Sequence, residues 1–190
     1  MYKERLLQRL GARGIPPPLV QWIGAFCSQR TATIMVNGYT SEKQDLPQAG
    51  LPQGSPLSPI LFLFFNADLV QHKLDTKGGS MAFVDDYTAW VTGPTAAANR
   101  GPIEAIVERA LEWERRSGAT FEGDKTSLVH FTRDRRRRDM LPVMVKGEPV
   151  VPQNKAKVLG VIMDVELRFK EQIASAATKG LNAAMALKRL

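Results

Sequence analysis

The 190-residue sequence has almost no cysteine and almost no histidine, and both shortages exclude classes of protein. Its one cysteine, Cys27, excludes a disulfide framework and a zinc cluster built on paired cysteines. Cys27 lies in an apolar stretch with Ile23 and Phe26, so a buried, inert thiol is favoured over a nucleophile. His72 and His130 stand far from Cys27 in the sequence, and neither has a predicted role.

Long apolar runs are also missing, which bears on membranes and secretion. The longest run, residues 59–65, is far shorter than the roughly 18 apolar residues that a membrane-spanning helix needs. The first residues, 1–5, are mostly charged and lack the apolar centre of a signal peptide. The sequence therefore predicts an intracellular protein in a reducing compartment, neither secreted nor bound to a membrane.

Acidic side chains are outnumbered by basic ones. Lys and Arg total 26 against 19 Asp and Glu, which gives a net charge of +7. A cationic surface attracts phosphates and releases their counterions, which favours a polyanionic partner. A basic protein without such a partner fits the charge equally well. Hydrophobic residues at 44% and charged residues at 24% are typical of a folded domain.

Apolar periodicity and turn residues predict an alternation of helices and hairpins. Five helices are predicted. The first ends at Gly11 and the second begins at Pro18, and the others cover Ser55 to about Leu74, Ile103 to Gly118, and Lys170 to Leu190. The predicted strands cover residues 31–36, 39–46, 81–84, 87–91, 127–131, 142–146 and 157–163. Asn37-Gly38 is typical of a hairpin turn, and Gly78-Gly79 is predicted to break the chain. This mixture predicts an α+β fold with a mainly antiparallel sheet, and the apolar first half of the Ser55 helix predicts its burial.

Two adjacent carboxylates, Asp85 and Asp86, stand between two apolar strands as a predicted hairpin turn. Adjacent carboxylates repel each other, and a divalent ion such as Mg²⁺ is their natural partner because it prefers oxygen ligands. Polymerases and nucleases hold two such ions about 3.5–4 Å apart. Asp-Asp is also an acceptable turn dipeptide, and taken alone that simpler interpretation is favoured.

A glycine- and proline-rich loop, residues 50–54, precedes the apolar helix. Gly50, Pro52 and Gly54 shape a backbone that a flat group can approach closely. Gln53 is expected to project near the helix N-terminus, which itself favours anionic groups. An ordinary strand-to-helix connection accounts for the loop equally well.

Together, these segments resemble a known family. Residues 49–62 followed by residues 82–86 resemble the reverse transcriptase domain, most of all that of non-LTR (LINE-like) retrotransposons. Further matching stretches extend the resemblance along most of the chain: residues 30–38, the lysine motif at residues 113–126, and the primer-grip hairpin at residues 158–164. A different metal-dependent phosphotransferase with an Asp-Asp turn leaves the Pro-Gln-Gly loop unexplained.

The resemblance implies an architecture. It predicts a partial polymerase palm, an antiparallel sheet with packed helices and a catalytic hairpin at residues 81–91, with the start of a thumb helix. Residues 1–48 would form helices and a hairpin at the junction of fingers and palm. Residues 49–165 would form the palm with its primer-grip-like strands, and residues 166–190 the start of the thumb helix.

The resemblance also implies site residues and partners. Asp85 would be the direct metal ligand and Asp86 would support it, with Mg²⁺ or Mn²⁺ as cofactor. The lysine motif would place Lys125 near the nucleotide's triphosphate. Template and incoming nucleotide would contact a set of residues at the loop and the hairpin: Pro52, Gln53, Gly54 and Phe83. The partners would be an RNA template, a DNA primer and deoxynucleoside triphosphates, and the expected compartment is the nucleus or cytoplasm.

The sequence departs from the family pattern at one essential point. Family members carry another aspartate in an earlier palm strand, and no such strand precedes the first helix here. The acidic residues ahead of the hairpin lie outside apolar strands of that kind: Glu4, Glu42, Asp45, Asp68 and Asp75. The sequence thus predicts an N-terminally truncated domain, impaired in catalysis, whose missing partner is the N-terminal part of the same polyprotein. The alternative is an inactive retrotransposon remnant that retains at most nucleic-acid binding.

Three smaller features complete the expectations. Asp68 is expected to be solvated or to cap its helix. Val84 stands where alanine or methionine is commoner in the family, and a valine is expected to fit. The run at residues 133–138 carries five arginines and is expected to be a solvated turn, although phosphate contact is the alternative.

Overall fold

The computed structural model describes residues 2–47, 50–71 and 77–188. Its α-helices are α1 (Lys3–Ala12), α2 (Pro17–Phe26), α3 (Leu57–Val70), α4 (Ala96–Ser117) and α5 (Lys170–Leu187). Its strands are β1 (Thr31–Ala32), β2 (Met35–Val36), β3 (Tyr39–Thr40), β4 (Gln44–Asp45), β5 (Gly78–Phe83), β6 (Asp86–Val91), β7 (Val143–Val145), β8 (Glu148–Val150), β9 (Lys155–Val158) and β10 (Val161–Asp164). Short 3₁₀ turns cover Gly123–Lys125 and Arg135–Arg137.

The strands form separate pairs rather than one sheet. Among the described residues β1 pairs with β4, β2 with β3, β5 with β6, β7 with β8, and β9 with β10. The expected mixture of helices and antiparallel strand pairs is confirmed. The expected common antiparallel sheet is wrong for the described chain, because a larger sheet needs strands with two neighbours and each strand here has one.

Several predicted boundaries shift. Gly11 lies inside α1, Pro17 rather than Pro18 opens α2, and α4 begins at Ala96, well before Ile103. α3 ends at Val70, whereas the predicted end at Leu74 lies outside the described residues, as does the predicted end of α5 at Leu190. Gly118, with φ of +63°, directly follows α4 and confirms its predicted end.

The hairpin predicted at Asn37-Gly38 is confirmed, with positive φ at both turn residues. Its arms are interrupted, because the Ser41 hydroxyl accepts the Ile34 backbone N–H at 2.9 Å in place of a ladder partner. The strand predicted at residues 142–146 is confirmed as β7, which pairs with β8. The single strand predicted at residues 157–163 is wrong, since β9 and β10 form a hairpin there. Residues 127–131 form no strand, only an isolated bridge between Leu128 and Pro152, because no neighbouring strand continues the pairing.

The chain divides into two compact units. Unit 1 comprises Met1–Lys73, Met81–Asp85 and Ala110–Phe121, and unit 2 comprises Leu74–Ser80, Asp86–Arg109 and Glu122–Leu190. The core of unit 1 brings α1, α2 and α3 together through buried side chains: Leu6, Leu10, Ile23, Cys27, Leu61 and Phe65. The buried position of Cys27 matches its expected environment, and burial raises the pKa of its thiol.

An arginine ties α1 to α3 inside unit 1. The Arg9 guanidinium donates to Asp68 at 2.6 Å and lies over the rings of Phe65 and Trp113, at 4.8 and 5.4 Å from their centroids. Arg13 donates to the other oxygen of Asp68 at 2.7 Å. Asp68 is therefore the shared ion-pair partner of Arg9 and of Arg13, which directly follows α1. Its side chain is 47% exposed, so the expected solvated position is confirmed, and the two ion pairs are what the sequence did not predict.

α3 is only partly buried, contrary to the expectation from its apolar first half. Leu61 and Phe65 lie in the core, but Ile60 and Leu63 are 53% and 59% exposed. The described elements of unit 1 therefore cover the side of the helix that carries Leu61 and Phe65 more fully than the side that carries Ile60 and Leu63. The apolar composition of α3 therefore did not predict which sides of the helix are buried.

In unit 2, α5 is fastened to the β9–β10 hairpin. Lys155 pairs with Glu171 at 2.6 Å, and the Gln172 side chain accepts the Ile162 backbone N–H at 2.9 Å. The Asp164 carboxylate accepts backbone N–H groups from the residues that lead into α5: Glu166, Arg168 and Phe169. These hydrogen bonds, that of Arg168 foremost, hold the pKa of the Asp164 carboxyl below its usual value.

In the described ranges, helices are too short or too polar to cross a membrane.

Candidate functional site

The acidic residues lie at the tip of the β5–β6 hairpin, with the turn one residue earlier than predicted. The turn residues are Val84 and Asp85, and Asp86 already begins β6. The hairpin also extends further, to Gly78, so the predicted range of residues 81–91 is too short. Both carboxylate residues are exposed to solvent.

The predicted break at Gly78-Gly79 is wrong, because both glycines belong to β5. A Cβ added at Gly78 would lie 2.4 Å from the Trp90 backbone oxygen. A Cβ added at Gly79 would lie 2.5 Å from the Trp90 ring. The glycines therefore permit the close approach of the Trp90 backbone and indole, which is the role of glycine inside a strand.

The turn holds Val84 in an unusual conformation. Its φ is +51°, in the left-handed region that disfavours β-branched residues by about 1–2 kcal/mol. Asp85 does not share the positive φ, so the strain lies at the first of the two turn residues, where glycine would be accommodated without steric cost. The expectation that valine fits here is therefore corrected: it fits under strain.

A buried amide supports this strained turn. Asn66 of α3 is 7% exposed, and its Nδ2 donates to the Val84 carbonyl oxygen at 2.6 Å. Asn66 was not predicted as a site residue. The signal that could have found it is a lone amide in an otherwise apolar helical run, because buried polar groups almost always have a hydrogen-bond partner.

The Pro-Gln-Gly loop is fastened to the start of the same helix. The buried Ser58 hydroxyl donates to the Pro52 carbonyl oxygen at 2.7 Å. Gly54 has φ of +85°, which a residue with a side chain rarely adopts. Gln53 and Gly54 are both exposed. The hydrogen bond thus fixes the loop backbone and leaves the Gln53 side chain accessible from solvent.

α3 therefore carries both predicted motifs within unit 1. Ser58 and Asn66 are eight residues apart, which corresponds to roughly 12 Å along a helix axis. Each uses a side-chain donor to hold a main-chain carbonyl, one in the Pro-Gln-Gly loop and one in the hairpin turn. Phe83, next to that turn, is 60% exposed. The loop and the hairpin tip are thus set by one rigid element.

Lys125 lies elsewhere in the chain, in the 3₁₀ turn Gly123–Lys125 of unit 2. Its ammonium pairs with Glu122 at 2.6 Å, and both side chains are largely exposed. An exposed pair of this kind is weak and exchanges readily with other anions. The role expected for Lys125 at a triphosphate stays a prediction.

The arginine run forms a turn that is exposed at Arg133 and Arg135–Arg137, as predicted, whereas the Arg138 side chain is 20% exposed and pairs with Glu166 at 3.3 Å. Asp134 pairs with Arg136 at 3.1 Å and Arg137 at 3.4 Å, and the hydrogen bond from Arg136 foremost lowers the pKa of the Asp134 carboxyl. Arg138 donates to the Thr132 carbonyl oxygen at 2.9 Å. The turn is therefore internally stabilised and partly neutralised.

The donor chemistry at the hairpin tip suits a hard divalent cation. Mg²⁺ typically uses one or two carboxylates and completes its octahedral shell with water and substrate phosphates, and Asp85 and Asp86 offer two exposed carboxylates. In the described part of the chain, groups of three or more His, Cys, Asp or Glu that could hold a metal are absent. The hairpin alone therefore provides a partial set of protein ligands for such an ion.

Comparison with known proteins agrees with the motifs. Residues 3–163 match the family model described as reverse transcriptase (RNA-dependent DNA polymerase). The chain is 28% identical, over 87% of its length, to the "Probable RNA-directed DNA polymerase from transposon X-element" of Drosophila melanogaster. It is also 28% identical, over 86% of its length, to the "RNA-directed DNA polymerase from mobile element jockey" of that species. The jockey protein of Drosophila funebris is 26% identical over 85% of the chain.

These relatives are much longer proteins. Each match covers 18% of the relative's length. The resemblance to reverse transcriptases of non-LTR retrotransposons, drawn from the sequence motifs, is confirmed. Because the family model covers residues 3–163 of 190, the chain belongs to the reverse transcriptase (RNA-dependent DNA polymerase) family.

Proposed function

We propose that this chain forms part of the polymerase site of an RNA-directed DNA polymerase from a non-LTR retrotransposon. The observation that carries the proposal is the support of two family motifs by one helix. Ser58 holds the Pro-Gln-Gly loop and Asn66 holds the Asp-Asp hairpin, and both bonds come from α3. Shared support of this kind keeps separate motifs in register, which a polymerase site requires.

The reaction is nucleotidyl transfer. A primer 3′-hydroxyl oxygen loses its proton to water and bonds to the α-phosphorus of a deoxynucleoside triphosphate. The bond between that phosphorus and the oxygen shared with the β-phosphate breaks, and pyrophosphate leaves with that oxygen. Mg²⁺, or Mn²⁺, would supply the charge neutralisation that both oxygens need. Asp85 would hold the metal directly and Asp86 would support it from the first position of β6. Their exposure leaves room for a phosphate-bearing substrate.

The remaining site residues have complementary roles in this proposal. Pro52, Gln53 and Gly54 would contact the RNA template and the incoming nucleotide through the fixed loop backbone. The exposed Phe83 ring would pack against the same partners beside the turn. Lys125 would exchange Glu122 for the triphosphate and assist the departure of pyrophosphate.

The proposed architecture keeps the boundaries expected from the sequence. Residues 1–48 would belong to the junction of fingers and palm, residues 49–165 to the palm, and residues 166–190 to the start of the thumb. A strand with a third carboxylate, from another part of the same polyprotein, would complete the metal site. Among the described residues each strand pairs with a single partner, and Ile60 and Leu63 of α3 are exposed, which supports such a completion.

A second candidate is an inactive remnant that binds nucleic acid. The partial ligand set at the hairpin and the net charge of +7 favour it for this chain on its own. Removing a shared carboxylate from a two-metal site removes the ligand that bridges both ions, so chemistry would be slowed strongly. Attraction to phosphates through the basic surface would persist.

Primer extension separates the two candidates. The chain would be incubated with an RNA template, an annealed DNA primer, deoxynucleoside triphosphates and Mg²⁺ or Mn²⁺. If the chain is a polymerase, we expect template-dependent incorporation that Asp85→Asn reduces by about 10²–10³-fold, the usual cost of losing one essential electrostatic group. Asp45→Asn is the matched control, because Asp45 is an exposed aspartate of β4 outside the site. If neither the unsubstituted chain nor Asp45→Asn incorporates nucleotides, the inactive remnant is favoured.

A further inference from the structure

The hydrogen bond between Asn66 and Val84 links a buried helix residue to the candidate metal turn. Asn66 lies in the second half of α3, after an almost wholly apolar first half, and is 7% exposed. Its Nδ2 meets the Val84 carbonyl oxygen at 2.6 Å. That contact brings together positions separated by 18 residues, so it fixes where the hairpin tip stands relative to α3.

The bond acts on the peptide unit that leads into Asp85. A peptide unit is planar, so fixing the Val84 carbonyl also fixes the Asp85 N–H and the plane between the two Cα atoms. Val84 is strained, with φ of +51°. Such conformations persist only where the surroundings over-determine them, and Asn66 supplies a buried, directional constraint at this position.

We infer that Asn66 is a positioning residue: it holds Val84 in the left-handed conformation and thereby aims the carboxylates of Asp85 and Asp86. The aiming of a metal ligand rests on the function proposed above, whereas the control of the Val84 conformation does not. If Asn66 were only structural, its side chain would form the same hydrogen bond, but the backbone conformation of Val84 would not depend on it. The two roles differ in what happens when Val84 is replaced by glycine.

Glycine removes the strain that Asn66 is inferred to oppose. It adopts positive φ without steric cost, so Val84→Gly should make the turn conformation independent of the Asn66 hydrogen bond. Asn66→Leu keeps the side-chain size and removes the donor. The inference therefore predicts a specific coupling: the turn is altered by Asn66→Leu alone and restored by Asn66→Leu combined with Val84→Gly.

The experiment is NMR on the ¹⁵N,¹³C-labelled full chain, with the free Mn²⁺ EPR signal as a second readout. In Asn66→Leu, the Val84 Cα and Cβ shifts should leave left-handed values and the Asp86 amide should exchange about tenfold faster. The Mn²⁺ affinity should fall by up to about tenfold, as expected for a lost hydrogen bond. The double variant should regain slow exchange and Mn²⁺ affinity to within about threefold of Val84→Gly alone.

The control is Gln71→Leu, which removes an amide from the end of the same helix, where Gln71 accepts from Arg13 at 3.0 Å. It should leave the Val84 shifts unchanged. Unchanged Val84 shifts in Asn66→Leu, or an effect that persists fully in the double variant, would overturn the inference. Mn²⁺ binding that Asp85→Asn does not weaken would instead contradict the proposed function, while the Val84 shifts still decide the role of Asn66.

Discussion

At the scale of single residues, a few side chains do more than their residue types suggest. Asn66 and Ser58 are ordinary polar residues in the sequence, yet each holds one motif of the candidate site. Asp68 is exposed, yet it is also the shared ion-pair partner of Arg9 and Arg13. These pairings depend on which residues meet across elements, and sequence periodicity contains no such information.

Arg9 is predicted to be the residue whose charge matters most for the stability of unit 1. Its side chain is 11% exposed and combines an ion pair with two aromatic contacts. Arg9→Met keeps the apolar stem and removes the charge, which leaves Asp68 without its closest partner. We expect the free energy of unfolding in a urea titration to fall by about 2–3 kcal/mol.

Arg5→Met is the control for that prediction. Arg5 is an exposed arginine of the same helix, and its Nε donates to the Arg116 carbonyl oxygen at 3.0 Å. Its replacement should change the free energy of unfolding by less than about 1 kcal/mol, as is usual for surface substitutions. Equal losses for the two variants would mean that the buried guanidinium contributes nothing specific.

At the scale of elements, helices were predicted better than strand pairing. A helix depends on local periodicity and caps, so α1, α2, α4 and α5 were placed from the sequence with shifts at their ends. The hairpin turn at Asn37-Gly38 was predicted from its residues and the acidic hairpin turn was predicted one residue too late, whereas the turns at residues 146–147 and 159–160 were not predicted. Lys146-Gly147 and Leu159-Gly160 have positive φ at both residues, as Asn37-Gly38 does. In all three pairs the second residue is glycine, which is the sequence feature that indicates such a turn.

The entry to α5 is predicted to depend on pH through Asp164. Its pKa is lowered in the folded chain because its carboxylate accepts backbone N–H groups that precede the helix, with that of Arg168 foremost. A lowered carboxyl pKa contributes stability above the unfolded value of about 3.9, and that stability is lost as pH falls through the lower folded value. Amide exchange of Arg168 and Phe169 should therefore accelerate in that acidic range beyond the intrinsic pH effect.

Asp164→Asn is the matched variant for this pH dependence. An asparagine retains one acceptor oxygen but does not titrate, so its amide protection should be lower at neutral pH and insensitive to acid. Acid sensitivity of the same size in both proteins would assign the effect to another group.

At the scale of the whole molecule, the family was predictable and the sheet was not. Ordered motifs carry family membership because they are local strings, such as the Pro-Gln-Gly loop and the Asp-Asp hairpin. A sheet depends on non-local pairing, and the described strands form separate pairs. The exposed face of α3 follows from the same cause, because an apolar helix is buried only where neighbouring elements cover it.

The proposed function depends most directly on divalent-cation binding by the Asp85–Asp86 hairpin. Mn²⁺ titrated into the ¹⁵N-labelled chain broadens the amide signals nearest to it, so the pattern of broadening locates the ion directly. We expect the amide signals of Val84, Asp85 and Asp86 to broaden first. This early broadening should disappear in Asp85→Asn and remain in Asp45→Asn. Broadening centred on other acidic residues, with the hairpin signals unchanged, would contradict it.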